Sequence, residues 1–469
     1  MRVSTAMLAY STPLPPSSQE SGIHLPSSSE RVIEHLSSRN NPFSRRKLGP
    51  TVGQLKTLMI MELEKGTVNN TDLASSVFPD VSLPFIVDTA LVDRILPPGI
   101  PTPRRSACNK NTPNVHEANI LHNPPSEWTE PNMATWLNDI GASLEQVYKE
   151  DNHKALGTYI NADGEEAVIP RRTWTSVNST NILKGSSIRR MPDLLLVDET
   201  WADKPIWPNV RALSEVTCSE RKKNRTIKDT IIQKSYITTI TQANRCFVPC
   251  LDFSHDSFTL TVIDRARLVH SETRKVCDHR LTLLRIIIGL MFGRPSDIGY
   301  DETIECDDNG NATSITINKK KYVVEEELFK SQSLRGHATR CWRVSRIEDG
   351  VSEVYVVKDS WVDTRRTQNE IETLRLIHRE GIGKCVPTLI HGEDVLVASG
   401  NPLQPTYSCD STARRRGQEG LVEERVHRWL LMGPVGIRIT DFESLKELIG
   451  AFIDIVTSNN IFSFLMVIC

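Results

Sequence analysis

Apolar positions along this chain switch between two periods. Residues 51–96, 133–150 (MATWLNDIGASLEQVYKE), 224–244 (NRTIKDTIIQKSYITTITQAN) and 281–292 (LTLLRIIIGLMF) carry them at helical spacing. In 224–244 the residues Ile227, Ile231, Ile232, Tyr236 and Ile240 fall on one face. Between these stretches, the runs at 156–161, 167–177, 192–199 and 210–218, followed by CFVPCLDF and SFTLTVIDRARLVHS, read as strands. Strands surrounded by helices predict an α/β or α+β unit.

The last third changes character. Residues 312–329 alternate like a hairpin, and 341–361 read as two strands around a turn at Asp349-Gly350. A helix follows in RRTQNEIETLRLIHRE, then a strand pair at 386–399, a strand in RVHRWLLMGPVG (425–436) and a helix at 441–456. That last helix places Leu445, Leu448, Ile449, Phe452 and Val456 on one face. Upstream, Ser- and Pro-rich residues 11–50 predict a mostly disordered leader, interrupted by a short helix at 30–36, and 97–114 predict a linker. The expected divisions are a leader (1–50), a helical region with linker (51–125), an α/β region (126–310) and an α+β domain (311–469).

Composition narrows the partners. Lys and Arg number 56 against 58 Asp and Glu, so no overall field favours nucleic acid or an anionic membrane, and any site must be local. The ten cysteines are scattered, and only Cys246 and Cys250 stand close, without a second pair at metal-ligand spacing. We therefore expect no metal site and reduced thiols in an intracellular compartment, cytoplasmic or nuclear. The early apolar stretch is too short for a signal peptide, and no run approaches the ~20 residues of a membrane helix. The run at 281–292 is interrupted by Arg285 and reads as a buried core helix.

Candidate chemistry begins with VYVVKDS (354–360), an apolar run that ends in Lys358. The bland reading is a lysine that snorkels from a strand end. The element order around it, three strands, a helix, two strands and a second helix, is the plan of a protein-kinase small lobe. In such a lobe the third strand carries a lysine that meets nucleotide phosphates and a glutamate on the next helix. Val356-Val357-Lys358 occupies that place, with Glu370 on the following helix and Glu372 as the alternative.

The stretches VVKDSW, RRTQNEIETL, VPTLIHGEDV, RVHRWLLMGPVG and FESLKELIGAFIDIV closely resemble the fungal-type protein kinase family. MPDLLLVDE, QANR, VIDRARLVHSE and IGYDETI extend the resemblance upstream to about residue 130. It implies ATP and Mg²⁺ as cofactors, a protein Ser/Thr substrate, and Lys358, Glu370, Gly336 and Thr339 as nucleotide-facing residues. Two departures stand out. Where the family's phosphate loop resembles G-x-G-T, this chain has Gly336-His337-Ala338-Thr339, and Ala338 restricts the backbone there. After the 441–456 helix, where a kinase supplies an H-R-D segment and metal-binding carboxylates, the chain reads TSNNIFSFLMVIC. No catalytic residue and no metal ligand is therefore assigned. The expectation is a kinase-like chain, truncated and inactive as it stands, with a non-catalytic binding or regulatory fragment as the rival.

Upstream, Asp193 in MPDLLLV and Glu215 in SEVT resemble the carboxylates of a PD-(D/E)xK nuclease core, in which two acids hold Mg²⁺ and a lysine assists water. The lysine position holds Thr217, and Arg221, Lys222 and Lys223 come a turn too late. We expect a degenerate nuclease-like scaffold. Asp264-Arg265 reads as a local ion pair, His427 and Arg428 as structural, and Lys319–Lys321 and Arg414–Arg416 as solvated loops.

Overall fold

The computed structural model describes residues 67–96 and 124–456, apart from short stretches at 126, 153–156, 162–163, 218–224, 349–350, 367–368, 382–385, 414–422, 437–440 and 455. The predicted leader, the 30–36 helix, the 97–114 linker, the clusters at 221–223 and 414–416, and residues 457–469 lie outside the described residues.

Two sheets dominate, and the chain is mixed α+β. The first is built from β1 (Thr67–Asn69), β4 (Arg172–Thr175), β5 (Leu194–Asp198), β6 (Ala212–Ser214), β7 (Val216–Thr217), β8 (Phe247–Ser254), β9 (Ser257–Asp264), β10 (Leu268–His270) and β11 (Arg274–Lys275). Its spatial order is β1-β10-β9-β8-β6-β5-β4, with β7 on β8 and β11 on β9, while β2 (Thr158–Ile160) and β3 (Glu166–Val168) form a separate hairpin. One face packs on α1 (Leu73–Val77), α2 (Thr89–Ile95), α3 (Glu130–Asn152) and α5 (Arg280–Phe292). The other face is covered by α4 (Arg225–Thr241) through Ile231, Ile232, Tyr236 and Ile237. Both faces of β5 are thus buried, which explains its unbroken apolar run rather than an alternation. Past its first residue α5 is apolar all round because helices surround it, and its one interior charge, Arg285, donates to the Phe78 carbonyl (3.1 Å) and pairs with Asp80 (2.7 Å).

The second sheet runs β12 (Ile304–Cys306), β13 (Ala312–Ile317), β14 (Lys320–Lys330), β15 (Arg340–Glu348), β16 (Val351–Asp363), β20 (Arg425–Gly433) and β17 (Thr388–Asp394), all antiparallel. β18 (Leu396–Ser399) and β19 (Thr406–Cys409) pair with each other. Two expectations are corrected here. Residues 386–399 do hold two strands, but they do not pair together: β17 joins β20, a non-local pairing that no local pattern encodes. β16 also continues five residues past Lys358, because Asp359, Ser360 and Trp361 are buried and register with Trp429, Arg428 and His427. Lys358 is a mid-strand residue, not a strand exit.

α6 (Glu370–Arg379) connects β16 to β17. Asn369 caps it by accepting the Ile371 N–H (3.0 Å), with acids in the first turn and His378 and Arg379 in the last, as the helix dipole favours. Ile371, Leu374 and Ile377 form its buried row against Leu430 and Met432. Gly392 in β17 makes room for it, since a Cβ there would stand 2.8 Å from Ile371. The two sheets are joined by buried hydrogen bonds: Arg340 donates to the carbonyls of Thr239 (3.1 Å) and Gln242 (3.0 Å). A last helical stretch, α7, covers 445–454 and exposes Leu445, Ile449 and Phe452.

Candidate functional site

Within the second sheet, the order β14-β15-β16-β20-β17 sets Lys358 on the central strand, between Cys341 and Leu430. α6 returns over that sheet, and its first residue, Glu370, sits at the inward edge of the apolar row. Lys358 Nζ donates to both carboxylate oxygens of Glu370, at 2.6 and 2.7 Å. The lysine side chain is 25% exposed and the glutamate 44%, so the pair lies at a cleft edge rather than in the core. Glu372 takes no part: it pairs with Arg375 on its own helix (2.8 Å). Arg428 anchors the helix start, donating to Asn369 Oδ1 (2.9 Å) and to Asp394 (2.6 Å).

The loop between β14 and β15 contains Gly336 and Thr339. Gly336 has φ 115°, and Ala338 has φ 45°. The restriction expected of Ala338 is therefore visible as strain: an alanine occupies the left-handed conformation that glycine enters freely. The loop leans on the first sheet, with Gly336 N–H donating to the Arg265 carbonyl (2.9 Å) and Leu334 buried in that sheet's core. It also touches β16, where Trp361 N–H donates to the His337 carbonyl (2.8 Å). Burial, then the charges of Arg366, Arg425 and Lys358, push the His337 imidazole down to about 4. The Thr339 carbonyl accepts from Ser331 N–H (2.9 Å) and closes the loop.

In the first sheet, Asp193 and Glu215 are brought together as the sequence suggested. Asp193 Oδ2 accepts the Val216 N–H (3.0 Å), and Asp252 Oδ1 accepts the Glu215 N–H (3.2 Å). What sequence reasoning missed is Lys234 on α4, which bonds Glu215 directly and stands 3.8 Å from Asp193 Oδ1. The signal was there: Lys234 lies three residues from both Ile231 and Ile237, inside the apolar face of its helix. The Lys234 and Glu215 side chains are only 3% and 9% exposed. Burial pushes the Glu215 carboxyl up to about 7 against the pull of Lys234, and burial with the Glu215 charge pushes Asp252 well above its ordinary range. Thr217 ends a two-residue strand beside β8.

Of the other candidates, Asp264 Oδ1 caps its turn by accepting the N–H groups of Ala266 (2.9 Å) and Arg267 (3.0 Å). Lys319 has φ 60° in the β13–β14 hairpin, and Lys321 pairs with Glu305 (2.6 Å). His427 is buried in the second sheet and bonded to Asp359.

A five-stranded antiparallel sheet of this order, with a helix after its third strand and a lysine–glutamate pair joining the two, is the small-lobe arrangement of protein kinases. The family model described as fungal protein kinase matches residues 191–463, more than half of the chain, and the chain belongs to that family. The match starts two residues before Asp193, so the first sheet's central strands are part of it. Comparison with curated proteins and with solved structures found no match. No helix among the described residues is long and apolar enough to cross a membrane.

Proposed function

We propose that the second sheet binds ATP, with Lys358 as the ammonium that meets the phosphates and Glu370 as the carboxylate that aims it. The observation carrying this reading is the two-oxygen grip of Glu370 on a partly exposed lysine. A flexible ammonium fixed at its tip presents its remaining proton in one direction, as phosphate recognition requires. Gly336 and Ala338, both at positive φ, support a glycine-type loop beside it. When bound, the nucleotide would supply a transferable γ-phosphoryl group, and at the family level the acceptor is a protein Ser/Thr. We read the chain as a nucleotide-binding kinase relative in a reducing, intracellular compartment. ATP titration by calorimetry tests it. Binding weakened about tenfold or more by Lys358→Met supports the site, as for one lost charge-assisted contact of ~1.5–3 kcal/mol. Equal binding by wild type and variant overturns it.

A second reading concerns the first sheet, where Lys234 supplies the ammonium that Thr217 lacks. It is spent on Glu215 and buried, so the charges face each other rather than a metal and water. We infer a nuclease-like scaffold without cleavage. Mg²⁺-dependent DNA cleavage lost in both Asp193→Ala and Glu215→Ala would overturn that inference.

A further inference from the structure

Four side chains that neither reading uses converge where the two sheets meet. Cys246 stands at the entrance to β8, Asp301 follows the first sheet's last helix and a short 3-10 turn, Asp410 follows β19, and His427 lies in β20. Cys246 Sγ, an Asp410 oxygen and a His427 ring nitrogen lie within 4.8 Å of one another, and all three residues are buried.

The two ends of the His427 ring are differently employed. Nε2 is 2.6 Å from Asp359 Oδ1, and since a carboxylate only accepts, Nε2 carries a proton. Nδ1 is fully buried and stands 3.4 Å from Asp410 Oδ2 and 3.9 Å from Asp301 Oδ2. Against the effect of burial, the carboxylates around the ring favour its doubly protonated form in the metal-free chain. Asp301 shows the same asymmetry. Its Oδ1 accepts the Thr303 N–H (2.9 Å) and hydroxyl (2.5 Å), whereas its buried Oδ2 has no hydrogen-bond partner. An unpartnered carboxylate oxygen and the His427 ring nitrogen thus face one space beside a thiol and a second acid.

The surroundings hold these groups in place. The His427 ring stacks on Trp361, with centroids 4.6 Å apart and planes 5° off parallel. His427 N–H donates to the Asp410 carbonyl (2.9 Å), and Asp410 N–H to Val395 (2.7 Å). On the other side, Cys246 N–H donates to Gly299 (2.8 Å) and Asp301 N–H to Asn244 (2.8 Å). A crevice lined by Cys246, Asp301, Asp410, Val397 and Tyr407 gives an entry path.

We propose that Cys246, Asp301, Asp410 and His427 form a structural Zn²⁺ site that staples the first sheet to the kinase-like sheet. A thiolate, an imidazole and two carboxylates suit this borderline-soft ion, and four protein ligands leave no open position for catalysis. Zinc bond lengths place tetrahedral ligands roughly 3.3–3.8 Å apart, so binding draws Cys246, Asp410 and His427 inward by up to about 1.5 Å, with Asp301 closing on them from beside His427 Nδ1. Asp359 behind Nε2 is the carboxylate that orients a metal-bound histidine. On metal binding, the Cys246 thiol and the His427 Nδ1–H release their protons to solvent, leaving a thiolate, a neutral imidazole and two carboxylates as ligands. The inference stands independently of the nucleotide reading.

The test uses the full chain, stripped with a chelator and reloaded with Zn²⁺ or Co²⁺. One equivalent of zinc retained through gel filtration is expected, with tetrahedral visible bands and a thiolate-to-metal charge-transfer band for Co²⁺. Cys246→Ser, an isosteric change checked for folding by circular dichroism, should lose the charge-transfer band. Asp359→Asn should weaken zinc binding roughly 10–100-fold. Failure of the wild type to retain metal, an octahedral cobalt spectrum, or a charge-transfer band that survives Cys246→Ser would each overturn the site. The first outcome would assign His427 instead to a buried imidazolium among carboxylates.

Discussion

Each sheet holds a lysine bound to a glutamate from another element, and the two pairs differ in almost everything except their chemistry. Lys234 and Glu215 are sealed between α4 and the first sheet, with Asp193 and Asp252 close by. Lys358 and Glu370 meet over a central strand of the second sheet, at a cleft edge where water reaches both. In the first pair desolvation is large, so each charge is held only because the other is there. In the second, water screens the attraction, so the pair adds little stability and leaves the ammonium open to a stronger anion. Burial alone turns one ion pair into a structural strut and the other into a poised recognition element.

The sharpest way to break this comparison is to remove one partner of the buried pair. Lys234→Met should cost about 3–5 kcal/mol in urea unfolding, because Glu215 is left charged or protonated without its partner. Adding Glu215→Leu to that variant should recover most of the loss. A cost below about 1 kcal/mol for Lys234→Met would show that the pair is not sealed from water.

Acid sensitivity gives a second, smaller contrast. His337 in the loop titrates near 4 in the folded chain, below its ordinary value of 6.5. Between those values the unfolded chain binds the extra proton, so this residue's contribution to stability is full above pH 6.5 and is lost as pH falls toward 4. After allowance for partial exposure, the loss is on the order of 1–2 kcal/mol. Unfolding midpoints for wild type and His337→Gln between pH 7 and 4 check it, and equal slopes would count against the loop's packing.

Local pattern made much of this structure legible. The α6 row of Ile371, Leu374 and Ile377, the apolar face of α4, and the hairpin strands of the second sheet all follow from periodicity. So did the approach of Glu370 to Lys358, because a seven-strand sheet and a short connection leave that helix little choice of face. What stayed hidden depends on distant chain segments. Lys234 reaches Glu215 across 19 residues, and β17 chooses β20 over its neighbour β18. The Cys246–His427 cluster escaped for the same reason: its members are spread over 181 residues, and metal-ligand spacing is a local signal (427 − 246 = 181). The extent of β16 was misjudged because Lys358 looks like a strand end, while the burial of Asp359 is satisfied by His427, 68 residues away.

The loop residue Ala338 sharpens the comparison from the backbone side. Replacing it with glycine removes left-handed strain of about 1–2 kcal/mol. It also adds about 0.5–1 kcal/mol of unfolded-state entropy and removes one buried methyl worth about 0.8 kcal/mol. These terms nearly cancel, so Ala338→Gly should shift stability by less than about 1 kcal/mol. A larger loss would mean that the methyl group, buried in the first sheet's core, holds the loop in place.

The smallest expected effect on stability belongs to Lys358 and Glu370, and it is the most informative. Glu370→Gln keeps the shape of the side chain and its N1 position on α6 but removes the charge. Since 44% of that side chain is in water, the cost should be about 0–1 kcal/mol, and it should shrink further at 0.5 M salt. The helix itself should persist, because its cap at Asn369 and its row of Ile371, Leu374 and Ile377 are untouched. ATP affinity should nevertheless fall several-fold, because the ammonium is no longer aimed. Lys358→Arg should not rescue it, since a planar guanidinium offers a different donor geometry to both glutamate and phosphate. A variant that loses several kcal/mol of stability while retaining nucleotide affinity would invert the comparison, making Lys358–Glu370 the strut and leaving the phosphate reading of Lys358 without support.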